Sequence, residues 1–388
     1  MAFQKFRADQ LFDGYRMLDS NWVLVTTDDG IIMDVVNVSD AGADVRVFEG
    51  ILSPGFINCH CHLELSHMKG LIPENTGLIQ FVSHVMRDRN LVEEVILQAI
   101  TDAETEMINS GIVAVGDIVN NKLTLGQKRK GQVYYHNFIE ATGFSPQSAT
   151  ARFERAVELF AAYAPYYSVP VASCSIVPHA PYSVSRELLE KITRYPGNQL
   201  LTIHNQETQE ENTLFENRTG EFLSFYENFR IDASLFEASG RSSLQTFIPA
   251  FLSNQQLILV HNLFTSRADL EFCRQASIKP RLHWCLCPNA NLYISGNLPN
   301  LELFTDYDCT MVLGTDSLAS NQQLSILAEM RTIQQHFPFV KSEKLFEWAT
   351  LNGARALQME HILGSFEKGK KPGIVLCDKA LTRSRRLL

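Results

Sequence analysis

Eight short apolar segments recur between residues 51 and 316, most of them separated by stretches with helical spacing, and this alternation constrains the fold more than any other feature of the chain. The segments are ILSPGFIN (51–58), GIVAVGDIV (111–119), VYYHNFIE (133–140), SVPVASCSIV (168–177), LLTIH (200–204), LILVH (257–261), LHWCLC (282–287) and CTMVLGTD (309–316). Runs this short and apolar suit strands buried on both faces, the condition of a parallel sheet covered by helices. Glu93 to Ser110, Ala151 to Ala164, Ser266 to Gln275 and Asn321 to Phe337 supply candidate helices. Eight such βα repeats suit a closed barrel better than an open doubly wound sheet. The predicted class is α/β, with a (β/α)8 TIM barrel over residues 53–364.

The first fifty residues read differently. Short apolar runs (WVLVTT, GIIMDVVNV, VRVFEG) alternate with Asp and Gly turns and carry no helical spacing. The tail GSFEKGKKPGIVLCD (364–378) returns to that style, so residues 1–52 and 365–388 are predicted to complete one small β-sandwich domain.

Composition narrows the function classes. A formal net charge of −9 and a pI near 5.7 argue against a nucleic-acid partner, which would need a basic footprint. The basic runs KRK (128–130) and RSRR (383–386) are short and read as solvated surface. No apolar run reaches the roughly 18 residues needed to cross a bilayer, and the charged N-terminal segment lacks a signal peptide's apolar core, so the expectation is a cytoplasmic protein with no membrane partner. Eight cysteines in 388 residues are too dilute for a disulfide scaffold and read as buried thiols or metal ligands. The expected partner is a small-molecule substrate, with a homodimer as the alternative to a monomer.

The chemistry concentrates in SPGFINCHCHLELSH (53–67). Side chains alternate along a strand, so His60 and His62 share one face and Cys59 and Cys61 the other. A four-ligand knuckle needs all four groups on one side, and a disulfide between residues i and i+2 of an extended strand has poor geometry. Two imidazoles at the end of the first strand can instead grip one metal. A lone His-x-His is more often a hydrogen-bonded pair, but His204, His261 and Asp316 fall at the ends of the fifth, sixth and eighth segments. The C-terminal strand ends of such a barrel converge on one mouth. Together these residues offer three or four N/O ligands with a position left open, the pattern of a catalytic rather than a structural zinc site.

SPGFINCHCHLE, HNQETQEE, LVHNLF, CPNANLYISG, LGTDSLASN and the closing GSFEKGKKPGIVLCD resemble the amidohydrolase superfamily, in its branch of mononuclear deaminases acting on purines and other N-heterocycles. The resemblance spans nearly the whole chain. It implies His60, His62, His204 and Asp316 as ligands to one divalent ion, zinc with ferrous iron as the alternative, and His261 beside the bound water. Dinuclear members carry a lysine at the end of the fourth strand; ASCSIVPHAPYS has none, so one metal is expected, and Cys174 is read as a buried structural thiol. Glu207, three residues after His204, matches the glutamate that shuttles protons; its plainer explanation is a carboxylate at a helix start. His179 in PHAPYS resembles a substrate-contacting residue, although a lone loop histidine needs no such role.

The implied reaction is hydrolytic deamination. A bound metal lowers the pKa of water from near 15.7 toward ~7. Asp316, aided by His261, would take the water's proton, and protonated Glu207 would donate to the ring nitrogen as ammonia leaves. HCHLELSH and TDSLASN further resemble the aminofutalosine deaminases of the alternative menaquinone pathway, which would put Glu64, Ser66 and His67 in the substrate pocket; otherwise Glu64 is a supporting acid and Ser66 a helix cap. Deaminases of S-adenosylhomocysteine, methylthioadenosine, adenosine and guanine share most of these motifs, and a chlorohydrolase or cyclic amidohydrolase would keep the same metal set. A non-catalytic metal-binding protein should instead prefer a closed ligand set. The base-flipping deaminase pattern is excluded: His62-Leu63-Glu64 matches H-x-E, but no P-C-x-x-C follows.

Overall fold

Each predicted barrel strand has a counterpart in the computed structural model, which describes residues 3–164, 173–275 and 280–388. The strands are β1 (Phe56–Cys61), β2 (Ile112–Val119), β3 (Tyr134–Ala141), β4 (Ser173–Pro178), β5 (Leu200–Asn205), β6 (Gln256–His261), β7 (Arg281–Leu286) and β8 (Met311–Leu313). The opening residues of the fourth predicted segment, 168–172, lie outside the described residues. β1 to β4 form one parallel sheet in sequence order and β5 to β8 another. Every described residue of β1, β2, β5 and β6 is buried, which explains why these strands read as unbroken apolar runs.

Hydrogen bonds close both seams into a (β/α)8 barrel. Between β8 and β1, the His60 carbonyl accepts the amides of Thr315 (3.0 Å) and Asp316 (3.1 Å), and the Asn58 side chain donates to Thr315 Oγ1 (2.7 Å). Between β4 and β5, the His204 amide donates to the His179 carbonyl (2.9 Å), and the Asn198 side chain brackets Ile176 from below. Gly314 belongs at the first seam for steric reasons. A Cβ there would sit 2.8 Å from His60 Cβ and 2.9 Å from Cys285 Sγ, inside any normal contact.

Predicted helices appear at Glu93–Asn109, Ala149–Tyr163, Arg267–Gln275 and Ile326–His336. The β5–β6 connection is the most elaborate, with helices Gln209–Asn217, Glu221–Asn228 and Ser243–Phe247. Both chain ends pair in one five-stranded sheet, ordered Ser384–Arg386, Ile374–Cys377, Ile51–Pro54, Gln10–Phe12 and Met17–Asp19. A four-stranded sheet holds Ile32–Asn37, Trp22–Thr27, Phe3–Arg7 and Arg46–Val47. Phe6, Leu11, Leu24, Ile32, Leu52 and Ile374 pack together as the core of this sheet pair.

Two surface and core expectations need correction. Lys128, read from its neighbours as solvated, is 4% exposed, because Asp117 and Asn137 on the adjacent strands receive its ammonium group. Cys174, expected to be buried, is only half-buried on the flank of β4. All eight cysteines are free thiols.

Candidate active site

The C-terminal ends of β1, β5, β6 and β8 deliver their polar residues to one point. His60 is the penultimate residue of β1, and His62 follows as the chain turns into a 3-10 helix, Leu63–Met68. His204 lies near the end of β5, and Asp316 follows β8. His62 Nε2 is 3.2 Å from His60 Nε2 and 3.3 Å from His204 Nε2. Asp316 Oδ1 lies 3.5 Å from His60 Nε2 and 3.4 Å from His62 Nε2. All four residues are buried.

These four residues fit a single divalent cation. Donors bonded to one tetrahedral zinc at about 2.0–2.1 Å lie about 3.3–3.4 Å apart; four of the six donor pairs here lie 3.2–3.5 Å apart, and all four donors lie within 4.8 Å of one another. Three imidazole nitrogens at this range cannot all be satisfied by protons shared among themselves, whereas a cation uses every lone pair. His204 is oriented for that task, since its Nδ1–H donates to the His179 carbonyl (2.7 Å) and leaves Nε2 unprotonated. Burial lowers the pKa of His60, that of His62 to about 4, and that of His204 well below the ordinary imidazole value, so all three are neutral ligands at neutral pH. Burial pushes the Asp316 carboxyl up, but the His60 hydrogen bond and the neighbouring imidazoles outweigh it and hold Asp316 ionised.

His261 and Glu207 stand beside the cluster. His261 Nδ1–H donates to Asn291 Oδ1 (2.8 Å), which turns Nε2 toward Glu207 Oε1, 3.5 Å away. That Nε2 is buried without a hydrogen-bond partner among the described residues. Burial, then the charges of Asp316 and Glu211, push the Glu207 carboxyl well above its usual range, which favours its protonated form. Two buried carboxyls whose surroundings push their pKa values in opposite directions thus share one site.

Backbone strain marks the same rim. Gln206 (φ 47), His261 (φ 73), Asn262 (φ 61) and Asp316 (φ 56) adopt the left-handed conformation, which non-glycine residues rarely take and which clusters at functional sites. Side chains hold these turns in place. Asn262 donates to the Leu259 (2.9 Å) and Cys285 (3.1 Å) carbonyls and accepts from Asn205 (2.9 Å), while Ser320 Oγ donates to Asp316 Oδ2 (2.5 Å).

The remaining sequence-predicted residues divide. His179 joins the site: its Nδ1 bonds Glu140 Oε1 (2.6 Å), and its ring centroid lies 4.4 Å from that of His204. Glu64 accepts the Asn120 amide (3.0 Å), Asn120 donates to Glu140 (2.8 Å), and burial lifts the Glu64 carboxyl to about 7. Ser66 spends its hydroxyl on the Leu63 carbonyl (2.7 Å), and His67 bonds the Arg89 carbonyl (2.9 Å). Leu65, Met68, Phe81, Tyr182, Phe222 and Tyr226 belong to one apolar cluster drawn from the loops of this rim. Sequence reasoning missed Glu140, Asn291 and Ser320. Glu140 closes the third apolar run, so the end-of-strand signal that singled out His204 also marks it.

With this geometry in view, the comparisons with known proteins are specific. The profile of the amidohydrolase family matches residues 51–386. The chain belongs to the amidohydrolase family. This amidohydrolase is 25% identical over 376 residues to a 5-methylthioadenosine/S-adenosylhomocysteine deaminase of Pyrococcus horikoshii, covering 92% of this chain and 79% of that one. It is 26% identical over 368 residues to an adenosine deaminase of Helicobacter pylori, covering 89% and 86%. The crystal structure of Helicobacter pylori aminofutalosine deaminase in complex with methylthio-coformycin superposes with a TM-score of 0.78 over 99% of this chain and 97% of that one, at 22% identity. Family membership and the four-donor cluster make the chain a metal-dependent hydrolase.

Proposed function

We propose that this amidohydrolase deaminates a 6-aminopurine nucleoside by hydrolysis, with one zinc ion held by His60, His62, His204 and Asp316. The observation that carries the reading is geometric: the buried cluster of His60, His62, His204 and Asp316 stands beside a second buried carboxyl, Glu207, whose Oε1 lies 3.5 Å from His261 Nε2. A divalent cation in the cluster would supply a Lewis acid that brings the pKa of water from 15.7 toward about 7. Asp316 is placed to accept the proton of the attacking water while Ser320 fixes its other oxygen. His261 presents a bare Nε2 toward the same space, where it can accept a hydrogen bond or proton from the attacking water and so aid Asp316. Protonated Glu207 would donate to the ring nitrogen as the C6–O bond forms, and the proton that Asp316 took from the water would pass to the C6 amine, so that the C6–N bond breaks and ammonia leaves. General acid-base assistance of this kind contributes about 10²–10⁴ in rate.

Relatives named as adenosine and methylthioadenosine/S-adenosylhomocysteine deaminases support a purine nucleoside as the substrate class. Within that class the segment HCHLELSH favours aminofutalosine, with Glu64 and His179 as the polar contacts to the nucleoside. Ammonia release from a panel of 6-aminopurine nucleosides tests the reading. Turnover is expected with aminofutalosine ahead of adenosine, methylthioadenosine and S-adenosylhomocysteine. Activity confined to chlorinated triazines or cyclic amides would contradict it.

A further inference from the structure

Lys128 has no part in the chemistry above, yet it is among the most completely buried charges in the molecule. Its ammonium group donates to Asp117 Oδ2 and to Asn137 Oδ1 (2.7 Å) and lies over the rings of Tyr135 (4.9 Å) and Tyr163 (5.5 Å). The other oxygen of Asp117, Oδ1, accepts the backbone amide of Leu63 at 2.8 Å. Leu63 is the residue after His62, where the chain leaves β1 and enters the 3-10 helix. The side chain of Asp117 therefore ties strand β2 to the turn that carries His62.

We infer that Asp117, held by Lys128, is a positioning residue: it fixes the His62–Leu63 turn so that the His62 imidazole meets His60, His204 and Asp316. Three features support a role in placing the ligand rather than in packing alone. His62 lies beyond the end of β1, so no strand pairing holds it, and its φ of −118° with ψ of 75° belongs to neither strand nor helix. The N-cap residue, His62, makes no capping hydrogen bond of its own, and the Leu63 amide is taken up by the Asp117 side chain instead. A carboxylate at this depth needs a cation beside it, and Lys128, Asn137 and the two aromatic rings supply the charge, the geometry and the dry surroundings. A buried ion pair is weak evidence for stability, because an apolar pair of similar volume often serves as well. Its placement beside a ligand-bearing turn is better explained by a defined geometry.

The inference rests on reading His62 as a metal ligand, and the experiment separates the two claims. Zinc affinity is measured by competition with a chromophoric chelator, at a temperature where each protein is folded by circular dichroism. The double variant Asp117→Asn with Lys128→Met keeps an acceptor for the Leu63 amide and leaves no buried charge; it should bind zinc within about threefold of wild type. Asp117→Leu with Lys128→Met removes the acceptor and both charges; its affinity should fall about 10- to 100-fold, the range seen when groups that orient metal ligands are removed. Gln255→Ala, which cuts two buried hydrogen bonds at the opposite end of the barrel, is the control: it should lose stability and keep its zinc affinity. Equal zinc affinity in the two double variants would overturn the positioning role. If Asp117→Leu with Lys128→Met does not fold, the Asn–Met protein decides, and a tenfold or greater loss of affinity there would overturn it. His62→Ala binding zinc as wild type does would instead remove the ligand assignment on which the inference stands.

Discussion

The barrel rim and the paired terminal sheets are held together by opposite means. The sheet pair relies on apolar burial, with Phe6, Leu11, Leu24 and Ile374 fully enclosed. The rim encloses imidazoles, carboxyls and amides instead, in strained turns that only a network of side-chain hydrogen bonds maintains. Burial of apolar surface is non-directional and tolerates small shifts, whereas buried polar groups demand partners at fixed geometry. The difference teaches where substitutions should change chemistry and where they should change only stability.

The largest effect should come from the rim's ligands. His60→Ala is expected to lose both bound metal and ammonia release, read by elemental analysis beside the activity assay. Glu207→Gln should separate the two properties, retaining stoichiometric metal while kcat falls by about 10²–10⁴, the range of general acid-base assistance. Normal turnover in that variant would remove the proton-shuttle role. Asn291→Ala deprives His261 of its acceptor, and a loss of about tenfold in kcat/KM, the equivalent of one ordinary hydrogen bond, is expected with metal content unchanged.

In the sheet pair the same kind of truncation should leave catalysis alone. Leu24→Ala should destabilise the fold by about 2–5 kcal/mol in denaturant titrations while kcat/KM of the folded protein stays at the wild-type value. A change in kinetics there would break the distinction between the two regions.

A pH dependence sharpens the comparison within the barrel. Burial pushes the Glu329 carboxyl up to about 8 from an ordinary 4.5, where it accepts from the Asn289 amide (2.9 Å) and the Asn321 side chain (2.8 Å). Its folded pKa is the higher one, so the stability it contributes is present below about pH 4.5 and is lost as pH rises toward 8. Glu329→Gln never has to charge, so its melting temperature relative to wild type should climb from pH 5 to pH 8.5. A constant offset across that range would contradict this account.

Much of this was legible in the sequence because strands buried on both faces must be apolar, and because a barrel's strand ends are where polar residues interrupt those runs. His60, His204, His261 and Asp316 each stand at such an interruption, and the structure brings them to one rim. Lys128 was not legible, since a basic tripeptide says nothing about a carboxylate 11 residues earlier on the neighbouring strand. Ser66 shows the converse. Its position in a family-like motif suggested contact with substrate, while its hydroxyl closes a local helical turn. Local sequence records periodicity well, but it does not record which distant side chain satisfies a buried donor.

The central claim is that four side chains from three strand ends hold one divalent ion. An anomalous difference map from crystals grown with zinc, collected across the zinc absorption edge, tests it most directly. A single strong peak within about 2.0–2.2 Å of His60 Nε2, His62 Nε2, His204 Nε2 and an Asp316 oxygen is the expected result. A map with no peak at that point, or with its only strong peak elsewhere on the molecule, would contradict the account.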